Sequence, residues 1–372
     1  TGPWKLTLES PQQRFWDLRE DWWGAKTGFH ALPKMKRVVT LPNYADDKQL
    51  ELLSNNEIDS AHGFQAAFTV PTAFQRNPKL IAWTVDNKPP YGAIDIATIT
   101  SLDFNLSKPP YDDPDIRWAI NHTINRDQIV QIGSHGIGGK TLLPFPRYGA
   151  LQQYYDGVND LMQKNPIDSF DLSKTAQLMQ GKGYAKDSQG FWAKGGKRFS
   201  LVLSLPPPFF TDIAPVIVEQ FRIGGFDASF KSPTNWSTLV AQGDVDAFLN
   251  VPGGSVRDPY ATLNFLHSRY SAPTGQPATQ PYRWKNDTYD KLVDQLGKTP
   301  SSDASYMGLY HQIMEIWIPN LPMIPLINRY IYITPNTTYW KNWPNEKYPY
   351  DLPSSWHRTA GLFINTLEPA GG

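Results

Sequence analysis

Residues 105–130 read NLSKPPYDDPDIRWAINHTINRDQIV, and this stretch carries the strongest local signal in the chain. Asp113 directly precedes Pro114, the favoured helix start. The carboxylate can accept from an otherwise free amide, and proline loses no hydrogen bond at the first helical position. Ile116, Ala119, Ile120 and Ile124 then recur at helical spacing and define one apolar face. Asn125 is placed to cap a further turn through Gln128, Ile129 and Val130, which Gly133 stops.

Working outward, residues 71–100 alternate chain breakers with short apolar runs, LIAWTV and IDIATITSLDFNL, a pattern of strands in a sheet. Downstream, 172–182 reads as a capped helix and RFSLVLSLP as a strand. PPPFFTD leads into the helix DIAPVIVEQFRIGG, followed by the strand FDASFK, a helix WSTLVAQG capped by Asn235, and the strand DVDAFLNV. Alternation of strand and helix over 199–251 predicts an α/β domain. Further helices are expected over 287–297 and 303–318, and MIPLINRYIYIT reads as an interrupted strand pair. Near the N-terminus, Trp4, Leu6 and Leu8 alternate in a strand. KMKRVVTL is a second strand, and Asp46-Asp47 is placed to cap DKQLELLSNN.

Composition sets limits on function. The 372 residues exceed what one core usually carries, so two domains are expected. Basic and acidic residues balance at 35 each, leaving no electrostatic footprint for nucleic acid. The absence of cysteine removes disulfides and thiolate chemistry. The seven histidines show no HExxH or paired metal spacing, and no G-x-S-x-G elbow occurs. GIGGKTLLPFPRYGA lacks the terminal Lys-Ser/Thr of a phosphate-binding loop. No metal site, cofactor or catalytic residue is expected. Proline is enriched, 33 residues or about 9% against a usual ~5%. The 13 tryptophans suggest either packing or a cleft that stacks flat ligand faces.

The stretch at 105–130 closely resembles a motif of the oligopeptide-type extracellular solute-binding proteins of ATP-driven importers, family 5. Other segments resemble the family's in the expected order: TGPWKL, DWWGAK, LLSNNEIDSA (usually L-x-x-G-E-I-D), GDVDAFL, RDPYATLNFLHS, RWKNDTYDKLVDQL and LPMIPL. The resemblance implies a two-lobed periplasmic-binding-protein-like α/β fold of type II, cluster C. It implies a periplasmic or extracellular location and a membrane permease as partner. In the family, the strand resembling TGPWKL comes well into the mature protein. The chain is therefore expected to be the C-terminal portion of a longer protein, with an incomplete first lobe and the signal segment outside it. The expected division is 1–80 in the first lobe, 81–335 as the second lobe and 336–372 returning to the first. Hinge crossings are expected near 75–90 and 330–340, allowing closure over a solute in an interlobe cleft.

Peptide-binding members share a segment W-x-x-D-x-x-[D/E]-P, whose aspartate pairs with the peptide's amino terminus. The matching residues here are Pro252-Gly253-Gly254-Ser255-Val256-Arg257-Asp258-Pro259. Ser255 stands at the aspartate position and Pro252 at that of Trp. A buried ammonium needs an anionic partner, so this departure points away from an α-amino peptide and toward a neutral solute, with an oligosaccharide favoured. The expected stackers are Trp83, Trp236, Tyr260, Trp284 and Trp340, each with core packing as the alternative. Asn250, Ser255 and Arg257 are the expected polar contacts; a loop held by internal bonds, and an Arg257–Asp258 ion pair, are the alternatives.

An oligopeptide-binding protein of the same family is the second reading. A glycoside-active enzyme is a distant third. It would need two facing carboxylates, for which Asp112-Asp113, Asp258 and Glu219 are the available residues. Nothing in the His or Met pattern favours a nickel, haem or metallophore binder.

Overall fold

A computed structural model describes residues 2–61, 63–64, 69–352 and 360–371. The chain forms two compact units, one from residues 1–93 and 330–372, the other from 94–329.

The first unit opens with an antiparallel three-stranded sheet: β1 (Trp4–Glu9), β2 (Arg14–Leu18) and β3 (Arg37–Thr40), in that order. Although Leu6 and Leu8 alternate with polar residues as expected of a strand, both remain more than a third exposed. Two helices follow, α1 (Asp46–Ser54) and α2 (Thr69–Arg76). Ala45 precedes α1, so Asp46 and Asp47 lie in its first turn instead of capping it; there they still favour the positive end of the helix dipole. Leu50, Leu53, Val70, Ala73 and Leu80 close a small core. A second core joins Met35 to Trp343, Phe363 and Leu367. Within LIAWTV, the expected strand at 80–85 reduces to a single bridge, Leu80 to Asn336.

Two of the family-like segments owe their residues to this unit's geometry. In DWWGAK, a Cβ on Gly24 would lie 2.4 Å from the Trp22 ring, so only glycine fits. In LLSNNEIDSA, Asn56 occupies the usual glycine position with φ +58°. Asparagine tolerates this left-handed backbone. Its Oδ1 accepts from Asn77 Nδ2 at 2.8 Å, Asn336 Nδ2 at 2.8 Å and Thr338 Oγ1 at 2.9 Å.

The second unit is built on a five-stranded sheet. Its strands are β4 (Ala93–Phe104), β5 (Ser200–Ser204), β6 (Asp227–Lys231), β7 (Ala247–Asn250) and β8 (Met323–Ile331), in the order β8-β4-β7-β5-β6. β5 is parallel to both β6 and β7, and β4 is antiparallel to β7. Helices of this unit that bear on the site and its supports are α3 (Pro114–Asn121), α4 (Leu172–Gly181), α5 (Ala214–Ile223), α6 (Trp236–Gln242), α7 (Tyr260–Phe265), α8 (Asp287–Leu296) and α9 (Tyr306–Asn320). The alternation β5-α5-β6-α6-β7 matches the α/β pattern expected over 199–251. MIPLINRYIYIT forms one strand through Ile331 instead of an interrupted pair. Its Pro325 is accommodated there, with its carbonyl taken by Arg126 Nε at 2.8 Å.

The motif at 105–130 starts as its sequence requires. Asp113 accepts from Asp115 N at 3.0 Å and Asn125 from Gln128 N at 3.0 Å. Asn235, by contrast, makes no side-chain cap on α6. Two arginines of the motif are buried with no ion-pair partner among the described residues. Arg117 donates to the carbonyls of Tyr111, Asn320 and Leu321, satisfying the C-terminal end of α9. Arg126 donates to Pro325 O, Ile167 O at 2.8 Å and Asn121 Oδ1 at 2.8 Å. Burial lowers each guanidinium to about 10, and backbone carbonyls supply the compensating bonds.

Candidate functional site

The expected site residues fall in both units. Trp83 and Trp340 belong to the first. Trp83 is half-buried, its backbone N–H donating to Tyr91 O at 2.9 Å and its carbonyl accepting from Glu346 N at 3.0 Å. Trp340 packs on the Met35–Trp343–Phe363 core.

The other six lie in the second unit. Trp284 is only 7% exposed and meets Tyr289 edge to face at 4.7 Å. Its ring is core, with no face available for stacking. Trp236 leans on Phe248 at 6.2 Å, and its Nε1 donates to Ser204 O at 3.3 Å. Each ring closes a hydrophobic cluster, the packing alternative set out for it.

Asn250, Ser255, Arg257 and Tyr260 come together on one segment, from the last residue of β7 to the first of α7. The backbone continues to pair with β4 beyond the strand: Ile99 N donates to Pro252 O at 3.1 Å, and Gly253 bridges Thr98. Side chains then fix the loop at both ends. Asn250 Nδ2 donates to Asp103 Oδ2 at 2.8 Å, while its Oδ1 accepts from Val251 N at 2.9 Å. Ser255, 1% exposed, is doubly tied to Thr262: its N–H donates to Thr262 Oγ1 at 3.1 Å, and its Oγ accepts from Thr262 N at 3.0 Å. Tyr148 donates its hydroxyl to Val256 O. Asp258 accepts from Tyr260 N at 3.0 Å and from the Tyr306 hydroxyl at 3.1 Å, so its carboxylate is held by the first residue of α7 and by Tyr306 instead of by Arg257. The Tyr260 ring fills the space over Gly297, where a Cβ would meet it at 2.4 Å.

What the loop presents is therefore Val251, Gly254, Val256 and Arg257, all exposed. Arg257 has no ion-pair partner among the described residues, so its donors face water and are available to hydroxyl or carboxyl oxygens. Asn250 and Ser255, read from the sequence as polar contacts, commit their bonds to holding the loop.

Sequence reasoning did not find Ser101, Asp103 and Tyr282. Asp103 is fully buried, accepting from Ser101 Oγ at 2.8 Å and from Asn250 Nδ2 at 2.8 Å, while Asn250 Nδ2 also faces the Tyr282 hydroxyl at 3.4 Å. Burial pushes its carboxyl up to about 7, and the neighbouring donors only partly offset this. Burial likewise raises Tyr282 well above the usual phenol range. The available signal was the strand pattern SLDF: Ser101 and Asp103 share one face of β4 by the period of two, an unusual polar pair on an apolar strand.

Of the carboxylates available for glycoside chemistry, Asp258 is held by Tyr260 N and the Tyr306 hydroxyl. Asp113 caps α3 and meets Lys182 Nζ at 2.7 Å. Glu219 lies on exposed α5 surface 3.9 Å from Arg222. No helix among the described residues is long and apolar enough to cross a membrane.

The fold and the sequence together define a bacterial solute-capture protein. The family model described as bacterial extracellular solute-binding proteins, family 5 Middle, matches residues 1–273. The chain belongs to this family, the solute-binding components of ABC importers, whose members work in the periplasm or outside the cell. Its fold is that of the family's solved members, a type II periplasmic binding protein. A periplasmic oligopeptide-binding protein of Thermotoga maritima, solved with mannohexaose bound, is 22% identical; the match covers 100% of this chain and 69% of that one, with a TM-score of 0.84. The oligopeptide-binding protein AppA of Bacillus subtilis, in complex with a nonapeptide, is 19% identical over 95% of this chain and 66% of that one, at 0.70. NikZ of Campylobacter jejuni, in complex with Ni(L-His), is 18% identical over 93% and 64%, at 0.73.

Proposed function

We propose that this chain captures a neutral solute, an oligosaccharide in preference to a peptide, and delivers it to the membrane permease without transforming it. The observation that carries the reading is the state of Ser255. It stands where peptide binders of the family place the aspartate that meets the peptide ammonium, and it is buried and doubly bonded to Thr262. Two residues on stands the exposed Arg257, which repels an ammonium and donates well to hydroxyl oxygens. The mannohexaose complex of the Thermotoga protein supports a saccharide on the same fold. In this reading Arg257 is the contact on the loop after β7 still open to solute.

A thermal-shift screen of oligosaccharides against tri- to pentapeptides tests the proposal. Stabilisation by mannohexaose-type oligomers is expected. Stabilisation by peptides alone would transfer the chain to the oligopeptide reading, and turnover of a glycoside would end the reading as a pure binder.

A further inference from the structure

Asp103 is a fully buried carboxyl whose hydrogen-bond partners are two neutral donors, Ser101 Oγ and Asn250 Nδ2, and the second leads directly to the loop after β7. Asn250 Nδ2 donates to Asp103 at 2.8 Å while Asn250 Oδ1 holds Val251 N at 2.9 Å. A continuous chain of bonds thus runs from the centre of the sheet to the first residue of the loop. The remaining amide hydrogen of Asn250 faces the Tyr282 hydroxyl at 3.4 Å.

We propose that Asp103 is the positioning residue of the 251–258 loop, holding it most firmly as a carboxylate, so that the order of this loop is coupled to pH. A carboxylate accepts from both donors, and charge-assisted bonds are roughly twice as strong as neutral ones. The protonated acid needs an acceptor for its own hydrogen. The hydroxyl of Ser101 can rotate to offer a lone pair. The Asn250 amide can turn only by giving up Val251 N, so protonation weakens the hold on Asn250. The reciprocal statement is that the Asn250 bond lowers the Asp103 pKa, which it does, against the larger effect of burial.

The groups facing Asp103 are few. Ser101 lies on its own strand, Asn250 on β7 and Tyr282 on the segment before α8; only Tyr282 titrates, and burial drives it away from ionising. On the other neighbouring strand, β8, Arg329 is engaged with Asp95 Oδ2 at 3.6 Å. With the carboxyl pushed up to about 7, both protonation forms are populated near neutrality.

Hydrogen exchange of the full chain between pH 5.5 and 8.5, corrected for intrinsic rates, tests this. Protection of the Val251 amide and its loop neighbours is expected to rise several-fold with pH in the wild type and to stay flat in D103N. S101A removes one donor from the carboxylate and is expected to move the midpoint to higher pH. A flat wild-type profile, protection that falls as pH rises, or an unchanged profile in D103N overturns the proposal. Should D103N fail to fold, an unmoved midpoint in S101A overturns it instead. Only the consequence for solute capture rests on the reading of this loop as a solute contact. Mannohexaose titration over the same range separates the two: no binding at any pH counts against the saccharide reading, while the exchange profile alone decides the role of Asp103.

Discussion

Ser255 and Thr262 bond to each other twice, N–H to Oγ1 at 3.1 Å and Oγ from N–H at 3.0 Å, closing the eight-residue span between them. The pair fixes the end of the loop and the entry to α7 at once. Ser255→Ala removes one acceptor and leaves the Thr262 amide buried without a partner, so a loss of about 1–2 kcal/mol is expected. Chemical denaturation of the full chain measures it. An unchanged midpoint would mean that the reciprocal bonds do not hold the loop.

Arg257 stands on that loop without an ion-pair partner among the described residues. Arg257→Ala is expected to leave stability within about 0.5 kcal/mol, as for an ordinary surface change. Its effect falls on solute affinity, roughly 5- to 30-fold weaker for mannohexaose if one or two hydrogen bonds are lost. Equal affinity of variant and wild type by calorimetry would remove Arg257 from the contact surface.

Asn56 combines a left-handed backbone with three accepted hydrogen bonds. Asn56→Ala loses the bonds and keeps the backbone cost, an expected 2–4 kcal/mol by order of magnitude, roughly. Asn56→Gly loses the same bonds but relieves the backbone, so it should be milder by about 1 kcal/mol. Thermal melts of the two variants decide between them, and the reverse ranking would contradict the account.

Global stability should respond to pH with the opposite sign to loop order. The Asp103 carboxyl is raised in the folded chain from 3.8 to about 7. Its contribution is therefore fully present below pH about 4 and is lost as pH rises to about 7, on the order of a few kcal/mol. Local opening of the loop leaves Asp103 within the sheet, whereas unfolding exposes it to water; the two measurements thus separate burial from bonding. Denaturant titrations from pH 4 to 8 should show the fall in wild type and its absence in D103N.

Local chemistry was legible in the sequence. The caps at Asp113 and Asn125 depend on residues two or three positions away, and the strand–helix alternation over 199–251 follows from hydrophobic period alone. Long-range pairings were not. Asp103 and Asn250 meet across 147 positions, and their register is set by the β4–β7 ladder, which no local pattern announces. The tryptophans show the same limit. Trp284 is core because Tyr289 and its neighbours enclose it, while Trp83 stays half-buried, and composition treats the two alike. The substitution at Ser255 was visible as a departure from the peptide-binding pattern, but its partner Thr262 emerged only from the fold.

Arg117 and Arg126 spend their donors on the backbone carbonyls of Asn320, Leu321 and Pro325, together with Tyr111, Ile167 and Asn121. The stretch that most plainly marks this chain's kinship thus serves as masonry, clamping the end of α9 and the start of β8. On the proposed function, lineage is written in the clamp and diet in the loop after β7, so a descendant could exchange one solute for another by rewriting residues 251–258 while its family signature stayed intact.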